Sequence, residues 1–331
     1  MPDLLAGLRC LHCRQTLVWQ GDVVACSGCR QRLVHHARIV DYLGGTATEA
    51  AILEWPATFV ECVEARLLSL SAGHALDSES LALMADHGLV DAGARLTPLG
   101  ELLAYHCAEY EIQQQTPTGI PLRFQRQAAF SEAARVLDLG CGAGQSLRLL
   151  GALGPAERVG VDADLRVLLF GERLAAHRGD AIRFVRASGH ALPFADRHFT
   201  HVLCRVALNY MHQRRALKEC LRVLAPGGYF YAFLEGPGFD LRLLAHSRSP
   251  RDLVSGLRDF CYGLTLACTG WQPQPGAWLH GGRACATMGR FLKSLICLGC
   301  EIVAAEAGPA YGGVLSNFQV LAMVKPQQRI S

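Results

Sequence analysis

Nothing constrains this chain more than the run Arg135-Val-Leu-Asp-Leu-Gly-Cys-Gly-Ala-Gly-Gln-Ser-Leu147. Val136 to Leu139 has the length and apolarity of a buried strand, and the residues from Gln145 onward read as the start of a helix. Between them stand Gly140, Gly142 and Gly144. A chain that turns from strand to helix through glycines can lay bare backbone N–H groups against a ligand, because no Cβ stands in the way. The spacing is not that of a dinucleotide-binding Gly-x-Gly-x-x-Gly loop, since position 145 is Gln.

Strand-length apolar runs recur near 135–139, 157–161, 182–186, 200–205, 228–235, 301–306 and 317–324, mostly with helix-length segments between them. Such alternation predicts an α/β fold with a largely parallel sheet, helices on both faces and a ligand at the carboxyl edge. At 331 residues, two or three domains are expected. With 50% hydrophobic and 18% charged residues, a large core can be buried. The net charge of +3 provides no broad basic field, which argues against a dedicated nucleic-acid binder. No apolar run reaches the roughly 20 residues that span a bilayer. Met1-Pro-Asp-Leu4 has neither the charged start nor the apolar stretch of a secretion signal. Together with fourteen cysteines, this predicts a reducing, cytoplasmic setting, with metal sites or burial in place of disulfides.

Asp138-Leu-Gly-Cys-Gly-Ala-Gly144 resembles the glycine loop of the class I S-adenosylmethionine-dependent methyltransferases. Three later stretches resemble that family in order and spacing: Val159-Gly-Val-Asp162, Ala191-Leu-Pro-Phe-Ala-Asp196 with Phe199 and Val202, and Leu221-Arg-Val-Leu-Ala-Pro-Gly-Gly228. The resemblance covers roughly residues 120 to 325. It implies a seven-stranded, doubly wound, Rossmann-like sheet of order 3-2-1-4-5-7-6 with strand seven antiparallel. It also implies S-adenosylmethionine (SAM) as cofactor. The methionine part would lie against Gly140, Cys141, Gly142 and Gly144, and Asp162 would hold the ribose hydroxyls with Ala163 beside it. Asp138 would fix the loop, and Cys204 would line the site from the fourth strand. Ser188-Gly189 stands where many relatives have Asp-Ala, so the adenine contact would pass through a hydroxyl without charge assistance.

Ahead of this region, Cys10-x2-Cys13 and Cys26-x2-Cys29 form two thiol pairs twelve residues apart. Two such knuckles facing each other supply four thiolates in a tetrahedron, a donor set that suits structural Zn2+. Thr16 to Ala25 reads as a hairpin turning at Gln20-Gly-Asp22. His12, His35 and His36 are read as surface or packing residues. This segment, residues 1–45, resembles zinc ribbons fused ahead of some bacterial methyltransferases, and also the ribbon of large-subunit rRNA guanine methyltransferases.

Residues 46–115 read as mainly helical. Phe59, Val63 and Leu67 share one helix face, Ser80 to His87 continues the pattern, and Thr97 is placed to cap a helix that has Pro98 in its first turn. Two extended pieces around Ala92-Gly93 would form a small wing. The segment resembles the winged-helix front of many small-molecule methyltransferases and is compatible with a homodimer. The candidate recognition helix contains Asp86 and no Arg or Lys, which argues against DNA binding. Residues 116–331 form the methyltransferase region. In it, Leu122 to Ala134 is read as a helix, with Tyr110 and Phe124 available to close a pocket. An insertion at 236–285 carries an apolar helix, Leu253 to Leu266, and a loop with Trp271, Trp278 and His280 as substrate wall.

His280, Tyr210, Asn209 and Glu235 are candidates for a catalytic base, and a free amine, thiolate or acidic phenol as acceptor would need none. Three functions compete. The first is methyl transfer to a small molecule, with secondary metabolism as its setting, motivated by the winged-helix segment, the apolar insertion and the near-neutral charge. The second is an RNA methyltransferase that grips its substrate through Arg9, Arg14, Arg30, Arg32 and Arg38 of the ribbon. The third is a non-catalytic, SAM-binding scaffold or regulator, against which the intact glycines and Asp162 argue.

Overall fold

The computed structural model describes residues 2–44, 52, 54–115, 127–247, 249–273, 282–308 and 313–325. The chain divides into two compact units, Met1–Ser188 and Gly189–Ser331.

The first unit begins with four short strands, β1 (Leu17–Gln20), β2 (Val23–Cys26), β3 (Arg32–His36) and β4 (Ile39–Asp41), joined as antiparallel neighbours. Three helices follow: α1 (Ala57–Ser71), α2 (Ser78–Asp86) and α3 (Pro98–Gln115). The Asp77 side chain caps α2 by accepting from Ser80 N at 2.7 Å. Thr97 caps α3, its Oγ1 accepting from Gly100 N at 3.1 Å while donating to Gly88 O at 2.7 Å. Between α2 and α3, Val90 and Leu96 form one antiparallel bridge around the expected turn.

Then come β5 (Arg135–Leu139), α4 (Gln145–Leu150), β6 (Glu157–Asp162), α5 (Leu165–Arg178) and β7 (Arg183–Arg186). The order within this unit is β1-β2-β3-β4-β7-β6-β5. β5, β6 and β7 are parallel, with Leu139 opposite Val161 and Val161 opposite Val185. Their inward residues Val136, Leu137, Val159, Val161 and Val185 are fully buried, as expected for strands covered on both faces. β4 adds to β7 in parallel, with Val40 opposite Val185, so the N-terminal strands extend the sheet that carries the glycine loop. Asp41 secures this join. Its Oδ2 accepts from Arg186 Nη1 at 2.9 Å and lies 3.3 Å from His36 Nε2, while Oδ1 accepts from the backbone N–H groups of Leu43 and Gly44.

The second unit contains β8 (Phe199–Arg205), α6 (Gln213–Val223), β9 (Leu224–Leu234), α7 (Pro237–Ala245), α8 (Pro250–Thr269), α9 (Met288–Cys297), β10 (Cys300–Ala307) and β11 (Phe318–Val324). Its order is β8-β9-β11-β10. β8 and β9 are parallel, and β11 runs antiparallel to both β9 and β10. Ser249 caps α8 with Pro250 in the first turn, and Gly270 ends it in the left-handed conformation.

Three expectations change. Eleven strands are described where seven are expected, because β1–β4 also pair along the strand series. The helix expected over Leu122–Ala134 stops short of its expected end: residue 127 is helical, and residues 128–134 are turn and loop. The insertion holds two helices, α7 and α8, where one apolar segment is expected, because Gly236-Pro237 starts a separate amphipathic turn. Phe124, Trp278 and His280 lie outside the described residues.

Candidate functional site

In the first unit, the loop after β5 is held by β6. Gly140 N and Cys141 N both donate to Val161 O, at 2.8 and 3.1 Å. Gly142, with φ of +53°, presents its N–H to Asp162 Oδ2 at 3.0 Å. Asp162 Oδ1 accepts from Asp164 N at 3.0 Å, so the acid at the end of β6 is braced on two sides. Burial pushes its carboxyl above the usual carboxylate range, while the backbone N–H groups of Asp164, Gly142 and Ala163 oppose that shift. Gly144, with φ of +81°, leads directly into α4. Asp138 is buried beneath the loop on β5. Cys141 is buried too, and an added Cβ on Gly160 would come within 2.7 Å of its Sγ, so the thiol packs against β6. Ser188 follows β7 at the end of this unit.

The helix before the loop contributes a group that the motif does not contain. His106 of α3 sits on the glycine loop: an added Cβ at Gly142 would lie 2.4 Å from its Cε1. Gln145 Nε2 donates to His106 Nδ1 at 2.7 Å and to His106 O at 3.1 Å. Burial pulls the imidazole down to about 4, against the opposing charge of Asp164. One helical turn along, the Tyr110 ring lies 3.7 Å from Arg148 Cζ, and Gln113 Oε1 accepts from Ser146 Oγ at 3.1 Å. Residues 106, 110 and 113 share a face of α3, but only folding shows that this face meets 145, 146 and 148.

The same unit gathers Cys10, Cys13, Cys26 and Cys29, whose sulfur atoms all lie within 4.8 Å of one another. Cys10 and Cys29 are 3.6 Å apart, and Cys13 and Cys26 are 3.3 Å apart. A tetrahedral site with Zn–S bonds of about 2.3 Å holds its sulfurs about 3.8 Å apart, so the donor set fits zinc in type and size. Burial raises the Cys26 thiol, but the backbone amides of Cys29 and Gly28 bring it down to about 6, which favours the thiolate. The nearby imidazoles are engaged elsewhere: His35 Nε2 is 2.8 Å from Asp22 O, and His36 meets Asp41.

In the second unit, β8 is followed by Val206, which has a φ of +61°, a strained value for a β-branched residue. This kink starts the short turn Ala207–Tyr210. Asn209, 1% exposed, donates from Nδ2 to Glu235 O at 3.0 Å and to Ala284 O at 3.3 Å, and its Oδ1 accepts from Glu235 N at 3.1 Å. Asn209 therefore latches the ends of β8 and β9 to the segment at 284. Gln213 Nε2 also reaches Ala284 O, at 3.1 Å. Arg283 donates from Nε to Asp240 Oδ1 at 3.0 Å, and its side chain bonds the hydroxyl of Tyr210. Tyr210 is 59% exposed, Cys204 is fully buried and Gly189 is buried. Arg283 and Asp240 form a buried ion pair in this unit that sequence reasoning missed; 43 residues separate them and no spacing signals the pair.

Residues 137–232 match a family described as "Methyltransferase domain". Over this stretch the chain is similar to methyltransferase domains. It is 40% identical over 116 residues to a demethylmenaquinone methyltransferase of Thermus thermophilus, covering 33% of this chain and 53% of that relative. It is 33% identical over 149 residues to a fatty-acid O-methyltransferase of Mycolicibacterium smegmatis, covering 40% of this chain and 53% of that relative. The chain thus spans about half the length of these curated relatives. The two units carry the strand patterns of a Rossmann-like α/β methyltransferase fold. The loop fits SAM on its own chemistry. A carboxylate offers about four acceptor positions, and the backbone amides on Asp162 leave room for a diol whose hydrogen bonds would offset the cost of its burial. Among the described residues, no helix is long and apolar enough to cross a membrane.

Proposed function

We propose that this protein is a SAM-dependent methyltransferase with a small-molecule acceptor. The observation that carries the reading is the braced acid: Asp162 and the glycine loop form one cradle through Gly142 N, within the segment that matches the methyltransferase domain. The acceptors named for the two relatives, demethylmenaquinone and a fatty acid, support a small molecule over a macromolecule.

In this reading Gly140, Gly142 and Gly144 let the methionine part approach the backbone, and Asp162 accepts from the ribose diol. Ser188 and Gly189 take the adenine edge, and Asp138 steadies the loop. When bound, SAM supplies a methyl group already activated on a sulfonium. The protein's share is orientation and exclusion of water, which can alone account for large accelerations when the acceptor is a good nucleophile. Asn209 is consumed as a latch, so it positions the chain and does not remove a proton. The four cysteines hold a structural zinc, residues 1–45 form its ribbon, and the α1–α3 segment acts as a winged-helix-like front to the cofactor unit.

Calorimetry with SAM and S-adenosylhomocysteine, wild type against Asp162→Ala, tests the cofactor. Micromolar binding that the substitution removes is expected, and absence of binding by folded wild-type protein rejects the reading. Transfer of a labelled methyl group from SAM into cell extract tests the acceptor class. Label in the small-molecule fraction is expected; label that only ribonuclease releases would replace the small-molecule acceptor with RNA.

A further inference from the structure

α8 is apolar on two sides, and the fold covers one of them. Tyr262 and Leu266 face inward, where they pack with Ala284 and Ala286. Gly263 lies against the backbone of Cys285, and Gly256 lets α8 approach Leu244 of α7. On the opposite side, Leu253, Val254, Leu257, Cys261, Leu264 and Cys268 fall within roughly 100° of arc at 3.6 residues per turn. All six are exposed. Leu253, Val254, Leu257 and Leu264 are 44, 66, 46 and 49% exposed. The stripe runs for about 22 Å at 1.5 Å per residue. Trp271, 56% exposed, follows at the end of the helix, and α7 adds exposed Leu241 and Leu243. Scattered exposed leucines are ordinary, but a continuous apolar stripe along a helix marks a surface that something covers.

The charges beside the stripe decide what covers it. Arg251 and Arg258 stand two turns apart on one flank, beyond Val254, and both are exposed. Among the described residues, neither is in an ion pair. The acids of the helix are engaged away from the stripe: Asp252 Oδ2 accepts from Ser249 Oγ at 2.7 Å, and Asp259 Oδ1 accepts from Gly282 N at 2.7 Å. A second copy packed antiparallel on this face would set the flank against itself, arginine facing arginine. A parallel pairing would bring the arginines to the flank of Gly256, Phe260 and Ala267, which carries no acid. A lipid surface with anionic headgroups accepts both features at once, since its acyl region takes the leucines and its phosphates take the guanidinium groups.

We propose that α8 docks the second unit on an anionic lipid surface. The helix lies in the plane of the interface with Leu253, Leu257 and Leu264 among the acyl chains and Arg251 and Arg258 at the headgroups. It rests on the bilayer and does not enter as a span, since no described helix is long and apolar enough to cross one. Trp271, an aromatic ring with one polar N–H, sits at the end of the stripe, where the headgroup level suits it.

Flotation of the full chain with vesicles of equimolar phosphatidylcholine and phosphatidylglycerol is the experiment. Wild type should float with these vesicles and partition about ten-fold or more less onto phosphatidylcholine alone. Leu253→Ser, Leu257→Ser and Leu264→Ser combined should lower the partition about ten-fold or more on the anionic vesicles. Arg251→Gln with Arg258→Gln should bring anionic vesicles down to the level of phosphatidylcholine. All five positions are exposed, so urea unfolding of both variants should match wild type, which separates lost docking from lost folding. Wild type that stays unbound, or a serine variant that floats as wild type does, would overturn the proposal. Thiol labelling with N-ethylmaleimide, read by mass spectrometry, distinguishes the other occupants. Cys261 and Cys268 should label readily in the free protein and be shielded by anionic vesicles. Slow labelling in a free monomer would mean that the chain covers its own stripe. Slow labelling in a dimer that the serine substitutions split would mean that a second copy covers it. Either result overturns lipid docking.

Discussion

Glu64 Oε1 and Arg148 Nη2 meet at 3.2 Å although 84 residues separate them, and each residue is only 8% exposed. Arg178 reaches the other oxygen of the same carboxylate. Through this acid, α1 is tied to both helices that flank the glycine loop, α4 and α5. Two guanidinium groups around one buried carboxylate make a pair that is costly to break from one side.

Replacing Glu64 with Leu leaves Arg148 buried without its counter-charge. The expected cost is about 3 kcal/mol of folding stability, read from urea unfolding. Glu64→Gln keeps a hydrogen-bond acceptor and should cost less. Equal effects of the two substitutions would show that the charge is not what matters at this position.

Asp162 should make cofactor affinity depend on pH. Its folded carboxyl is raised by burial, so the native state holds a proton where the unfolded chain has lost it. Stability from this group is therefore present below the usual carboxylate range and is lost as pH rises through the raised value. Binding a diol favours the ionised acid, so S-adenosylhomocysteine should bind more tightly as pH rises through that same window and level off above it. Calorimetry across the acid range on wild type and Asp162→Asn checks this, with the variant expected to bind weakly and without the pH slope.

Zinc removal should be felt beyond the thiol cluster. One zinc per chain is expected by metal analysis, and Cys26→Ala should abolish it. Because β4 pairs with β7 and Asp41 holds Arg186, chelation should raise hydrogen exchange at residues 40–41 and 185–186. It should also lower the melting temperature by more than about 5 °C. Exchange that rises only between residues 10 and 30 would show that the sheet junction stands without the metal.

Asn209→Ala removes three side-chain hydrogen bonds to backbone groups at Glu235 and Ala284. Leaving these groups unpaired should cost about 2 kcal/mol. Asn209→Asp keeps the acceptor for Glu235 N but sets a buried carboxylate oxygen against the carbonyls of Glu235 and Ala284, and should be at least as destabilised as the alanine variant in urea unfolding. If the alanine variant matches wild type, water or neighbouring groups replace the latch.

Much of the fold was legible because strand-length apolar runs and caps are local signals. All seven expected methyltransferase strands appear near their expected positions, and Thr97 caps α3 as its place before Pro98 predicts. The Gly140–Gly144 turn and the four cysteines are legible for the same reason, since each depends on a short spacing. Of the helix expected at 122–134, residues 122–126 lie outside the described residues, residue 127 is helical, and 128–134 run as turn and loop because apolar content without a cap does not fix where a helix ends.

The sequence by itself determined which segments become strands and helices, where backbone is left bare by glycine, and which thiols can share a metal. Tertiary structure alone decided that His106 lies on Gly142, that Glu64 joins Arg148, and that β4 adds to β7. Periodicity and motif spacing encode which face of an element is apolar and which residues are near neighbours along the chain. They do not encode which polar side chain on another element will be brought against that face. That pairing follows from packing, because a buried donor or charge is tolerated only where the folded chain delivers its partner.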